Sequence, residues 1–235
     1  DLDIDASGTV RFNGAVAMND AANGLVTVSN AGVLTITAAG DMSINGIFSQ
    51  DGAGAVSTAG DITTTNDNIN FLRAVTLTGA VALDSGAGAG TITFQETLDG
   101  AQTLGLTAGT GAIDFDGVVG GTTPLGAVTI TSAANVTADA AFSAASLRQV
   151  AGTGTTTFTG ALATTAAAGI EVDGTNFDFN STITSTLGDL DIDASGTVRF
   201  NGAVAMNDAA NGLVTVSNAG VLTITAAGDM SINGI

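Results

Sequence analysis

The chain contains no cysteine, histidine, tryptophan, tyrosine or lysine, and one proline, Pro124, in 235 residues. Each absence removes a class of function. Without cysteine there are no disulfides and no thiolate zinc sites. Without histidine, lysine, cysteine or tyrosine, the general bases and nucleophiles reduce to carboxylates and hydroxyls, so no catalytic residues are expected. Without tyrosine or tryptophan, the aromatic girdles of a membrane barrel cannot be built. The only cations are Arg11, Arg73, Arg148 and Arg199, against a net charge of −18, which excludes a nucleic-acid partner. Apolar stretches such as "AGVLTITAAG" are short and broken by Thr and Gly, so a membrane-spanning chain is not expected. No secretory or transit peptide is recognisable.

What is present is repetition. Residues 1–47 and 189–235 are identical, from Asp1/Asp189 to Ile47/Ile235. The chain reads as one complete tandem unit, residues 1–188, and the start of the next, residues 189–235. The missing initiator Met and the stop in mid-unit suggest a segment of a longer tandem array. Repeat architectures have no single closed core, which overrides the usual domain count for this length.

A shorter period lies inside the long one. "TVRFNG", "DMSING", "VTLTG", "TITFQE", "AIDFDG", "NVTADA", "TTTFTG" and "NFDFNS" share alternating apolar residues, a large apolar anchor and a small polar turn. The anchors are Phe12, Ile44, Leu77, Phe94, Phe115, Ala138, Phe158, Phe179 and Phe200, spaced 32, 33, 17, 21, 23, 20, 21 and 21 residues apart. The two long intervals are expected to hold an extra half-turn or an extra coil each. Strict alternation bounded by Gly, Asn, Asp and Ser is a strand signal. "DAAFSAASLRQVA" (139–151) would tolerate a helix by composition, but its place in the register predicts turn and strand. An all-β chain of short strands with a period near 21 residues predicts a β-solenoid of about nine coils per unit. At the ordinary strand spacing such a unit is about 43 Å long. Phe12, Phe94, Phe115, Phe158, Phe179 and Phe200 are the expected structural core, stacked as one interior column.

"FDGVVGGTTPLGAVTITSAANVTADAAF" (115–142), with "GTTTFTGAL" and "TVRFNGAV", resembles the giant β-strand-repeat surface proteins of bacteria, related in style to filamentous haemagglutinin-like adhesins. The resemblance spans the chain but is compositional. It implies a right-handed parallel β-helix, an extracellular or cell-surface location and a role as a stalk or fibre.

Candidate sites come from stacking. Placing "IEVDGTNFDFN" (170–180) one coil below "LDIDASGTVRFN" (190–201) sets Glu171 beside Asp191 and Asp173 beside Asp193. Like charges on adjacent strands are unfavourable; solvent screens them or a Ca²⁺ ion sits between them. The same alignment sets Asp178 beside Arg199 as a cross-coil ion pair. "DLDID" fails as an EF-hand loop, because Ala6 and Phe12 stand where Gly and Glu are needed. Asp114 and Asp116 read as outward residues of a strand whose inward residues are Ile113 and Phe115. Thr-x-Thr pairs such as Thr35/Thr37 suit the solvent side of strands, and the unequal coil lengths argue against a flat ice-binding face.

The expected function is therefore a structural repeat segment of an extracellular bacterial fibre or adhesin shaft. The alternative is a solenoid surface that binds Ca²⁺, polysaccharide or ice. No other cofactor is expected. Expected partners are further copies of the repeat end to end, lateral fibre neighbours and cell-surface glycans.

Overall fold

Runs of three to five residues alternate between apolar and polar, each cut off by Gly, Asn or Ser, and consecutive runs do not pair with one another as hairpins. They pair instead with the equivalent run about 22 residues away. The computed structural model describes residues 1–20, 24–208, 212–225 and 227–232. Among them there are strands and no helix, and every strand pairing is parallel. The chain is a parallel β-solenoid of about ten turns with roughly 22 residues per turn.

Most coils contribute one strand to each of three faces. Face 1 runs from Leu2–Ala6 through Val26–Asn30 and Phe48–Gln50 to Leu222–Ile224, eleven strands in all. Face 2 runs from Val10–Phe12 to Leu98–Asp99. It then passes through the bridges Leu98↔Val119 and Val119↔Phe142, and on through Leu162–Thr164 to Met230–Ile232. Face 3 runs from Val16–Met18 through Ile62–Thr64 and Val81–Asp84 to Ile170–Gly174, Leu190–Ala194 and Val214–Asn218. The eight-residue strand Phe142–Gln149 serves two faces: its first half pairs with Leu162–Thr164 on face 2, its second with Ile170–Gly174 on face 3. "DAAFSAASLRQVA" is thus turn and strand, as its register predicts.

Inward residues form columns. On face 1 one column reads Val28, Gln50, Phe71, Phe94, Phe115, Ala138, Phe158, Phe179, Phe200 and Ile224. Ring centroids of Phe71, Phe94 and Phe115 follow at 5.3 and 5.4 Å, within 10° of parallel. Ala138 leaves a gap in that stack. Phe142, four residues on, turns its ring into it edge-on, 5.5 Å from Phe115 and 5.7 Å from Phe158. Phe94, Phe115, Phe158, Phe179 and Phe200 are buried in this column as expected.

Phe12 is not in it. It pairs with Ile36 on face 2, followed by Thr58 and Leu77. Ile44 lies on face 3, between Met18 and Thr64. The irregular anchor spacings are therefore changes of face. From Phe12 to Ile44 the chain makes one and a third coils, from Ile44 to Leu77 one and two-thirds, and from Leu77 to Phe94 two-thirds. The expected half-turns and extra coils give way to steps of thirds. Coil lengths also vary with the corners: Leu2 pairs with Val26, but Val136 with Thr156.

The corners need residues without a Cβ. A side chain at Gly54 would meet Gly32 O at 1.8 Å. Gly169 has φ +57°, and its missing Cβ would lie 2.2 Å from Asp189 O.

Removing a stacked ring should cost about 3–5 kcal/mol. Phe115→Ala is expected to lower the urea unfolding free energy by that amount. Ala138→Phe should destabilise by about 1–3 kcal/mol, because Phe142 already fills the space. Ala138→Phe combined with Phe142→Ala should recover most of that loss.

Candidate functional site: an acidic ladder on the third face

The outward residues of face 3 bring the predicted acidic pairs together. Arg148 pairs with Glu171, Glu171 with Asp191, and Asp191 with Thr215. One step along, Asp173 pairs with Asp193 and Asp193 with Ser217. The strands place them there because Ile170, Val172, Leu190 and Ile192 are buried, which turns the alternate residues outward. The Asp178–Arg199 pair is formed on face 1, with Arg199 Nη1 3.7 Å from Asp178 Oδ2.

The ladder is not uniformly negative. Arg148 Nε donates to Glu171 Oε2 at 3.2 Å from the coil below, a contact the sequence reading did not include. It offsets charge at one end and leaves Asp173 and Asp193 facing each other. Burial raises the Asp173 carboxyl above its ordinary pKa, repulsion from Glu171 and Asp193 raises it further, and Arg148 opposes the shift. An open groove of about 550 Å³ lies beside this pair, lined by Asp173, Asp193, Ser195, Ser217 and Asn218 among others. Among the described residues no group of three or more acidic side chains has the geometry to hold a metal ion. On face 1, Asp114 pairs with Thr137; burial, then Asp116 and Asp139, raise its carboxyl, and a hydrogen bond with Thr137 offsets part of that.

A second use of carboxylates was missed from sequence. Asp1 Oδ1 accepts the backbone N–H of Leu25 at 3.0 Å, and Asp189 Oδ1 accepts that of Leu213 at 2.9 Å. Asp41 accepts from Asp61 N at 2.9 Å, and Asp61 accepts from Ala82 N at 2.7 Å. Asp99 accepts from Thr122 N and Thr123 N. These side chains sit at coil corners and satisfy a donor in the next coil, where the ladder of strand bonds is interrupted. The signal was legible as "GDM", "GDI" and "GDL" at residues 40–42, 60–62 and 188–190: a turn glycine, an aspartate, then the first inward residue. A share of the acidity is therefore structural.

No family model matches the chain, and no curated protein or solved structure is significantly similar to it. Among the described residues, no helix is long and apolar enough to cross a membrane.

Because the folded pKa of Asp173 is raised, its ionised form opposes folding. That penalty is absent below the unfolded carboxylate pKa and develops as pH rises through the folded value. Asp173→Asn should stabilise the protein at neutral pH by about 0.2–1 kcal/mol, the scale of a like-charge pair on facing strands. The gain should shrink to nothing in melts taken below the ordinary carboxylate range. Asp61→Ala should instead destabilise at neutral pH, by about 0.5–1.5 kcal/mol for one lost hydrogen bond at an exposed corner.

Proposed function

We propose that this chain is a rod-forming structural segment of an extracellular bacterial fibre or adhesin shaft, without catalytic activity. One observation carries the reading. The second copy repeats the pairings of the first register for register: Leu2–Ala6 on Val26–Asn30, and Leu190–Ala194 on Val214–Asn218. The bond from Leu2 N to Leu25 O, 2.8 Å, recurs from Leu190 N to Leu213 O, 2.9 Å. A unit added to a unit thus lengthens one stack and needs no new interface. Stability in such a stack is approximately a sum of coil terms and nearest-neighbour terms, which suits a spacer whose length is its purpose. The corner aspartates fit the same reading, since they serve the coil-to-coil contact.

A chain carrying one additional 188-residue unit should appear in electron micrographs as a rod of unchanged width. It should be longer by about 42 Å, the strand spacing multiplied by the coils per unit. A compact particle of the same mass would reject the reading.

The second reading, a Ca²⁺-binding surface, draws on the Asp173–Asp193 and Glu171–Asp191 pairs. Under it, calcium raises the melting midpoint of the wild-type chain and chelator reverses the rise, while Asp173→Asn abolishes the response. A midpoint unchanged by calcium leaves the spacer reading alone. Polysaccharide binding would show as avidity increasing stepwise with unit number.

A further inference from the structure

The same residues occupy different faces in the two copies. Leu2–Ala6 lies on face 1, but its identical counterpart Leu190–Ala194 lies on face 3. Val10–Phe12 lies on face 2 and Val198–Phe200 on face 1. Val16–Met18 lies on face 3 and Val204–Met206 on face 2. All three strands have moved in the same direction by one face. The register shows why. Eight coils of partners on face 1 lead from Leu2 to Phe177. The chain then passes through Ile183–Ser185 on face 2 before the repeat restarts at Leu190 on face 3. One unit is eight and two-thirds coils, in place of the expected nine.

The edge of the second copy is open where the first is covered. Leu34, Ile36 and Ile44 are 0%, 0% and 2% exposed, beneath Val56–Thr58 and Ile62–Thr64. Their counterparts Leu222, Ile224 and Ile232 are 42%, 49% and 40% exposed. Val26 and Val28 are buried under Phe48–Gln50, while Val214 and Val216 are half-buried. The first copy therefore displays, on identical residues, what fits this edge.

We propose that the edge made by Val214–Asn218, Leu222–Ile224 and Met230–Ile232 is a docking surface for a further copy of residues 48–71, and that each 188-residue unit joined in this way is turned by one third of a coil relative to the one before. The proposal rests on the rod reading and deepens it. The acidic strand "LDIDA" faces one side of the rod in one unit, a second side in the next and the third side in the one after. Three units close on about 26 whole coils, a true repeat of about 125 Å at the ordinary strand spacing. The phenylalanine column hops faces in step. On face 1 it ends at Phe200 and Ile224, and a new one begins over Val214 and Val216, as Phe48 and Phe71 begin one in the first copy. Any partner of a single strand pattern meets it on all sides of the fibre and on no continuous stripe.

The absence of native cysteine makes disulfide trapping a clean test. The full chain is extended after Ile235 by a copy of residues 48–71, with a cysteine at the appended equivalent of Ser49. One version also carries Thr215→Cys on face 3, the other Thr223→Cys on face 1. In the first copy Ser49 pairs with Thr27, the counterpart of Thr215. Facing residues on paired strands lie within disulfide reach. The docked and turned arrangement predicts cross-linking in the Thr215→Cys version, with the Thr223→Cys version remaining free. It also predicts protection of the amides of residues 214–232 from hydrogen exchange, and not with a shuffled extension. Cross-linking of Thr223→Cys in its place overturns the turn and leaves the rod standing. No cross-link with no added protection overturns the docking. Micrographs of the extended chain report separately on the rod, whose loss would remove the basis of both.

Discussion

Everything in this molecule depends on the backbone hydrogen bonds that run along the rod axis from one coil to the next. A single coil of about 22 residues cannot bury its own apolar side chains or pair its own strands. It acquires both from its neighbours above and below. That constraint explains why the strands are short, why all are parallel, and why alternation outranks propensity. It also explains the glycines, because corners must stack at backbone distance: a Cβ at Gly54 or Gly169 would strike the coil beside it. The corner aspartates belong to the same logic. Where the chain turns, strand bonds lapse, and Asp41, Asp61, Asp99 and Asp189 supply the missing acceptors.

The interior obeys columns more than individual coils. A residue must suit the one above and the one below, and the column can be completed from elsewhere. Ala138 is tolerated among phenylalanines because Phe142 reaches across from the next face. Gln50 holds a place in the same column because its Nε2 donates to Asn30 Oδ1 at 2.9 Å and to Gly54 O at 3.1 Å. Polar residues therefore enter the core at corners, where backbone carbonyls are free to receive them.

The stacking of residues 170–180 under 190–201 was legible from sequence because period-2 alternation and a near-constant coil length fix the register once one pair is aligned. Asp173 against Asp193, 20 residues apart, and Asp178 against Arg199, 21 apart, follow once the corner between them is given one extra residue. The assignment of residues to faces was not legible. Phe12 and Phe200 have identical neighbours for eleven residues before and many after, yet lie on different faces. No local pattern separates the faces, since all three demand the same alternation of inward and outward residues. Only the count of strands between the copies decides it, and that count includes Val119, a single bridged residue, and Phe142–Gln149, one strand serving two faces. The Arg148–Glu171 pair was missed for a related reason: it joins strands 23 residues apart across a long coil, outside a strict 21-residue alignment.

Equivalence of the faces is also what permits a unit that is not a whole number of coils. Were one face specialised, a shift of a third of a coil would bury the wrong residues, and the second copy could not reproduce the pairings of the first. Electrostatics does not require the shift. Equivalent acidic strands in successive units lie about 42 Å apart along the axis, several times the Debye length of about 8 Å at physiological salt. Their repulsion is screened whether or not they are aligned. What the shift alters is direction. A rod whose units were all in phase would carry its phenylalanine column on one fixed side. The proposed turn of a third per unit distributes that column around the axis. Under the proposed arrangement no side of the solenoid carries one pattern continuously, which suits the proposed spacer and which a flat binding face would forbid.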